Sequence, residues 1–130
     1  MKSKKPNIID EVGFDFDWDS KKVWALDIPV IEMDIKELIW HFDLPFWELE
    51  DTDDYNLTPK AVIDNKSGTR EHRKKIEEAD TSHPIDIMEN KGRWLILDGL
   101  HRLVKLYESG AKKIKVRIIP REKIPEILRD

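Results

Sequence analysis

Apolar and polar residues alternate near the beginning of the chain. In GFDFDWD, Phe14, Phe16 and Trp18 are separated by aspartates, which is the period-two pattern of a half-buried strand. The DSKK that follows is typical of a turn, and VWAL is typical of a return strand. We therefore predict an N-terminal hairpin, which extends the domain over residues 1–26.

The next segment changes from a strand pattern to a helical one. The apolar run Ile28–Met33 predicts a strand, and Asp34 after it is a favourable helix N-cap. Apolar residues then recur at helical spacing and predict a helix that ends near Asp43, before Pro45. These apolar positions are Ile35, Leu38, Ile39 and Phe42.

Two further helices are predicted after the acidic stretch WELEDTDDYN, which we interpret as a loop. Thr58 and Pro59 form an N-cap and first-turn pair that opens a short helix through Ile63. Thr69 can cap a second helix, REHRKKIEEA, which contains few apolar residues. We expect this helix, including His72, to be mostly solvated.

The C-terminal part has the clearest pattern. Pro84–Met88 and Arg93–Leu97 predict two strands, which the turn residues Asn-Lys-Gly connect. A helix is predicted over Leu100–Ser109 because its apolar residues form one stripe, and Gly110 follows it as a typical C-terminal residue. KIKVRII, residues 113–119, predicts a last strand. This order predicts an α/β or α+β domain, a small mixed sheet with helices packed on it.

Composition limits the chemistry that the chain can perform. Its 130 residues favour a single domain, and the absence of cysteine excludes disulfides, thiolate metal sites and a cysteine nucleophile. The N-terminus lacks the apolar core of a signal peptide, and no apolar run approaches membrane-spanning length. We therefore expect a cytoplasmic protein without membrane contact.

The charge is distributed unevenly. The formal net charge is −4, yet residues 99–130 are basic overall while residues 1–98 are acidic. Non-specific binding to a nucleic-acid duplex usually needs a basic face. The balance therefore favours a small anionic ligand over nucleic acid as the partner.

The stretch LDGLHR carries the strongest candidate chemistry. A strand that passes through Gly99 into a helix leaves unpaired backbone amides at the helix start, which favour a bound anion. Arg102 can add a forked donor to a phosphate, and His101 can donate a hydrogen bond or accept a proton. Asp98 can coordinate Mg²⁺ or take a proton from an attacking hydroxyl. The alternative is structural, with Asp98 as an ordinary N-cap and Arg102 solvated.

This corner also carries a resemblance. WLILDGLHRLVKLYESGAKKIKVRII, with HPIDIM before it, resembles the ParB N-terminal/sulfiredoxin superfamily, closely over residues 84–119 and more loosely over Ile28–Phe42. The resemblance implies a glycine corner that binds nucleotide phosphates. Leu100 stands where sulfiredoxins have their catalytic cysteine, so repair of sulfinic acids is excluded.

The free serine kinases and their stand-alone relatives are the most similar branch at this motif. Their Asp-Gly-His-His-Arg matches Asp98, Gly99, His101 and Arg102, with Leu100 replacing the first histidine. The resemblance implies ATP or ADP with Mg²⁺ as the ligand, cradled by Gly99 and the amides of Leu100 and His101. That branch also carries a His-Glu pair near its first helix; WHFD offers His41 for binding and Asp43, displaced, as the acid.

Other candidates have simpler interpretations. Trp40–Trp47 is rich in aromatic residues and is either core or a surface for a protein partner. His83 is expected in a loop, and the histidine spacing does not indicate a structural zinc site. A basic run along the last strand is expected to be a solvated face, with attraction of an anionic ligand as the alternative. Its members are Lys112, Lys113, Lys115, Arg117 and Arg121.

Overall fold

Four strands form one mixed sheet in the computed structural model, which describes residues 7–49, 52 and 55–130. The strands are β1 (Ile31–Asp34), β2 (Ile85–Asn90), β3 (Arg93–Asp98) and β4 (Lys113–Ile118). Their order in the sheet is β1-β4-β2-β3. β1 pairs with β4 and β2 with β3 in antiparallel fashion, whereas β2 and β4 are parallel. β1 and β3 are therefore the edge strands.

Helices and helical turns surround this sheet. Two short 3-10 turns, Ile35–Glu37 and Ile39–Asp43, follow β1, and a third, Arg121–Lys123, follows β4. The α-helices are α1 (Asn7–Val12), α2 (Ser20–Trp24), α3 (Pro59–Ile63), α4 (Arg70–Glu78), α5 (Leu100–Glu108) and α6 (Ile124–Ile127). The fold is thus a small α/β domain with a mixed sheet, as predicted.

The main core lies between α5 and the sheet. α5 buries Leu103 and Val104, and β2 and β4 contribute Ile85, Ile87 and Val116 to the same cluster. Full burial of one such aliphatic side chain stabilises a fold by about 1.5–3 kcal/mol. The predicted C-terminal strand-helix-strand order is confirmed because its apolar periodicity matches this burial.

The predicted N-terminal hairpin is wrong. Phe14, Phe16 and Trp18 do not lie in a strand that pairs with VWAL; Trp18 forms an isolated bridge to Leu128, and VW belongs to α2. The side chain of Asp19 accepts a hydrogen bond from the Lys21 amide and caps α2. The three aromatic rings contact one another, with centroids 5.0 to 6.0 Å apart, and pack on a second, smaller core. Their alternation therefore reflects an aromatic cluster.

The segment after β1 also differs from its prediction. β1 begins at Ile31 rather than Ile28, and Asp34 caps a 3-10 turn, because its side chain accepts from the Lys36 amide. The single predicted helix is two 3-10 turns, separated at Leu38. Their buried residues still follow the predicted apolar positions, so packing on the core is retained without α-helical geometry.

Of the two other predicted N-caps, Thr58 is confirmed and Thr69 is wrong. Thr58 accepts a hydrogen bond from the Ala61 amide and caps α3, as predicted. Thr69 precedes α4, but its hydroxyl donates to the carbonyl of Lys66 and caps nothing.

A buried ion pair joins the sheet to the N-terminal segment. Arg117 Nε donates to Asp86 Oδ1 at 2.6 Å, and both residues are buried. The other two guanidinium nitrogens donate to the backbone carbonyls of Leu26 and Val23, at 2.8 and 2.9 Å. Burial raises the pKa of the Asp86 carboxyl, and the Arg117 guanidinium opposes that rise. The expectation of a solvated Arg117 is therefore wrong.

The described part of the chain has no helix long and apolar enough to cross a membrane.

We expect Arg117→Leu to lower the free energy of unfolding by about 3 kcal/mol or more, because it leaves the Asp86 carboxylate buried without a partner. Denaturation in urea measures this loss, and hydrogen exchange should show reduced protection in α2. Lys115→Leu is the matched control, since Lys115 is exposed on the same strand. A loss in Arg117→Leu no larger than in the control would contradict the anchoring role.

Candidate functional site

The strand-to-helix corner lies where β3 meets α5. Gly99 occupies the N-cap position with φ of 116°, a left-handed conformation that favours glycine. A Cβ atom at this position would lie 2.9 Å from Arg102 Nη2 and 3.2 Å from the Ile85 side chain. The backbone therefore requires glycine here, as the motif indicated.

A cavity of about 720 Å³ opens at this corner. One wall is the corner itself, residues 98–101, and another is the N-terminal stretch that contains Phe14, Phe16 and Trp18. Phe46, Trp47 and Tyr55 contribute further aromatic surface. The volume falls in the usual range of small-molecule sites, about 300–1,000 Å³.

The N-terminus of α5 forms part of the cavity wall. Leu100 and His101, the first two residues of this nine-residue helix, both line it. The N-cap, Gly99, has no side chain to accept from the first amides, and no side-chain cap is present. The helix start therefore directs partial positive charge toward the cavity.

Asp98 and Arg102 are engaged with each other rather than open to a ligand. Asp98 Oδ2 accepts from Arg102 Nη2 at 3.1 Å and from Trp24 Nε1 at 2.8 Å. Arg102 Nη2 also donates to the carbonyl of Pro84 at 3.2 Å, and Arg102 Nε is buried with no hydrogen-bond partner among the described residues. Arg102 does not line the cavity at α5. It fastens the corner to the start of β2, and its interpretation as a solvated side chain is wrong.

A chain of polar contacts leads from Glu48 through His72 to His101. His72 Nε2 lies 2.9 Å from the backbone carbonyl oxygen of Glu48 and 3.0 Å from its carboxylate Oε2. His72 Nδ1 lies 3.0 Å from His101 Nε2. The centroids of the His72 and His101 imidazole rings are 5.3 Å apart and their planes differ by only 12°, so the two rings lie side by side. His101 thus connects the cavity to a carboxylate.

Trp47 covers both imidazole rings. The centroid of its ring lies 4.6 Å from that of the His72 ring and 4.3 Å from that of the His101 ring, with interplanar angles of 7° and 11°. Paired hydrogen bonds between the backbones of Trp47 and Leu57 hold the tryptophan in place. Burial is the main cause that lowers the pKa of His101 to about 4; the charges of His72 and Lys75 lower it further, and Asp98 opposes them. His101 is therefore neutral at neutral pH.

His41 lines the same cavity, but both of its nitrogens are engaged by the backbone. Nδ1 donates to the Leu38 carbonyl at 2.7 Å, and Nε2 accepts from the Ile96 amide of edge strand β3 at 3.1 Å. Burial lowers the pKa of His41 to about 4; the Leu38 carbonyl opposes this shift, and the charge of Arg93 adds to it. His41 is buried, and its two ring nitrogens have no hydrogen bond left for the ligand that the motif indicated.

The structure places Asp43 away from the corner and buries much of the aromatic surface of the Trp40–Trp47 segment. Asp43 is exposed and lines a separate depression that also contains Lys60 and Tyr107, so the structure does not bring it to the corner. Trp47 is buried, and Trp40 is half-buried beneath the Arg93 guanidinium. The aromatic segment therefore offers little free surface, and a protein partner there stays a prediction.

The sequence patterns did not indicate two residues of the site, His72 and Glu48. His72 was expected on a solvated face, which is wrong because it is 5% exposed, and Glu48 was assigned only to an acidic loop. The signal for His72 is its spacing, three residues after the buried Thr69 that precedes α4 and four before the buried Ile76, because this spacing places the three residues on one side of the helix. No comparable sequence signal indicated Glu48.

Within the described ranges, no group of three or more histidine, aspartate or glutamate side chains could hold a metal ion. Asp98, the predicted Mg²⁺ ligand, has one carboxylate oxygen already bonded to two donors. Among the described residues, the side chains at the corner therefore do not form a site for a resident metal ion.

Comparisons with protein-family models, with curated proteins and with solved structures found no match for this chain.

We expect the protein to lose stability as the pH falls from 6.5 to 4. His41 binds a proton in the unfolded chain near pH 6.5 but in the folded protein only near pH 4, so stability is full above 6.5 and declines below it. This one residue should contribute a loss of about 2 kcal/mol between pH 7 and pH 5.

Urea denaturation of His41→Gln at both pH values measures that contribution, since the difference between the two should shrink by about this amount. His83→Gln, at an exposed loop position, is the control and should leave the difference unchanged. An equal difference in wild type and His41→Gln would refute the assignment.

Proposed function

We propose that the chain is a domain of the ParB/sulfiredoxin-like type that binds a nucleotide or another small phosphorylated ligand. The observation that carries the proposal is the α5 N-terminus, which forms a wall of the 720 Å³ cavity next to Gly99. A phosphate would accept hydrogen bonds from the amides that follow Gly99. The aromatic walls, with Phe46 and Tyr55 among them, suit the stacking of a base.

The charge of the cavity restricts which phosphorylated ligand fits. Asp15, Asp17 and Asp98 line it, and the described lining residues include no lysine or arginine. A bare triphosphate would meet these carboxylates at a cost that the helix dipole only partly offsets. We therefore propose the magnesium complex of ATP or ADP as the ligand, with the ion brought by the phosphates. Within the part of the chain that the structure describes, no set of side chains would hold that ion without the nucleotide.

Phosphoryl transfer is the reaction that we propose for this site. His101 would remove the proton from a hydroxyl of the acceptor, whose oxygen then bonds to the γ-phosphorus. The bond to the β-phosphate oxygen breaks, and ADP leaves with the electron pair. Asp98 is the weaker choice of base because Trp24 and Arg102 already donate to it. Water in place of the acceptor would give nucleotide hydrolysis.

A thermal-shift experiment tests the binding. At about 100 times its dissociation constant, a bound nucleotide stabilises the fold by about 2.7 kcal/mol, a rise in Tm of roughly 5–15 °C. We expect this rise with MgATP or MgADP and a smaller one with ATP in EDTA. If no nucleotide or phosphate compound raises Tm at millimolar concentration, the proposal fails.

The carboxylates of Asp15 and Asp17, which line the cavity, allow a second test of nucleotide binding. Asp15→Asn with Asp17→Asn should tighten the binding of metal-free ATP a few-fold, because two carboxylates no longer repel the phosphates. Both residues are exposed, and their ion pairs with Lys91 and Arg129 are surface contacts of small energy. Asp27→Asn, exposed and outside the cavity, is the matched control. Equal effects of both changes would place the ligand elsewhere.

A further inference from the structure

We infer that Glu48, His72 and His101 form a proton relay in which His101 Nδ1 accepts a proton from a hydroxyl group of a ligand in the cavity. His101 is the catalytic residue, and His72 and Glu48 are positioning residues. The identity of that ligand rests on the proposed function. The relay itself rests on contacts within the chain.

The relay begins at Glu48, which fixes the tautomer of His72. His72 Nε2 faces the carbonyl oxygen of Glu48 at 2.9 Å and its carboxylate oxygen at 3.0 Å. Both partners only accept hydrogen bonds, so Nε2 must carry the proton and donate to them. In a neutral imidazole the other nitrogen, His72 Nδ1, is then an acceptor.

The tautomer of His72 in turn fixes that of His101. His101 Nε2 lies 3.0 Å from the acceptor His72 Nδ1, so His101 Nε2 carries a proton and donates it. His101 Nδ1 is left with a lone pair. Among the described residues this nitrogen has no hydrogen-bond partner, and it is not one of the buried unpaired atoms, so it is open to the cavity that His101 lines.

His41 shows what a purely structural histidine looks like in this fold. Its two nitrogens are both bonded to backbone groups, of Leu38 and of Ile96. It carries the proton on Nδ1, the opposite tautomer to that of His101. His101 differs because one nitrogen is held by the protein while the other faces the cavity. Such an arrangement suits a proton acceptor.

The positive charge that His101 gains when it is protonated can be transferred to His72. The ligand hydroxyl gives its proton to His101 Nδ1 and becomes an alkoxide, while the imidazolium keeps its Nε2 proton on the bond to His72. That second proton can shift to His72 Nδ1, which moves the positive charge to the His72 ring, whose Nε2 faces the Glu48 carboxylate. The face of Trp47 covers both rings and favours a cation. Asp98 favours the charged ring, and Lys75 opposes it.

Nitrogen-detected NMR of the imidazole rings tests the relay without any ligand. At neutral pH we expect His101 as the Nε2–H tautomer and His41, in the same spectrum, as the Nδ1–H tautomer. His72→Phe keeps a ring against Trp47 but removes the acceptor, so His101 should become a mixture of tautomers while His41 stays unchanged. A wild-type His101 that carries its proton on Nδ1 overturns the relay, whether or not the variant folds.

Acylation by diethyl pyrocarbonate tests the reactivity of the open nitrogen. The lone pair attacks a carbonyl carbon, and ethanol and carbon dioxide leave, so only an accessible unprotonated nitrogen reacts. Mass spectrometry should find His101 modified and His41 and His72 protected. Glu48→Gln keeps the shape and the backbone acceptor of His72 but removes the charge, so the rate at His101 should fall several-fold.

The exposed His83 is the internal control for this variant and should react at an unchanged rate. A protected His101, or an equal rate in wild type and Glu48→Gln, overturns the inference. Neither measurement contains a nucleotide, so failure of the relay and failure of nucleotide binding are separate results.

Discussion

The Arg117 side chain makes the buried polar contact that joins the sheet to the N-terminal segment. Its guanidinium joins the buried Asp86 carboxylate in the sheet to two carbonyls at the end of α2. The N-terminal segment is also held to the sheet by hydrogen bonds from Asn90 to the carbonyls of Val12 and Gly13, by the bond from Trp18 Nε1 to the carbonyl of Leu97, and by the second core. The same N-terminal segment supplies one wall of the cavity, so the buried ion pair anchors, at α2, the part of the chain that lines the candidate site.

Buried polar groups in this domain are paired in two different ways. Asp86 and His41 form their hydrogen bonds with other protein groups. Asp86, in β2, accepts from Arg117, and His41 accepts from an amide of edge strand β3. His101 differs, because only one of its nitrogens has a hydrogen-bond partner among the described residues, which is His72, and its ring lines the cavity. Burial lowers the pKa of both His41 and His101 to about 4, so both rings are neutral at neutral pH.

Sequence periodicity predicted the C-terminal half of the fold well and the N-terminal part poorly. α5 and the strands beside it bury one regular stripe or face, so local spacing reports burial directly. The alternating Phe14, Phe16 and Trp18 produced a false strand, because they cluster with one another rather than along a ladder. His72 was misjudged because the charged residues around it outnumber the few that mark its buried face.

The sequence by itself determined the corner: Gly99 at a left-handed position, Asp98 before it and His101 after it, in a strand-to-helix order that local geometry enforces. Tertiary structure alone decided what each side chain faces. It directed Arg102 and Asp98 to each other, separated Asp43 from the corner, and brought Glu48 and His72 behind His101. Such contacts join residues up to 29 positions apart in this relay, and only packing of the whole chain fixes them.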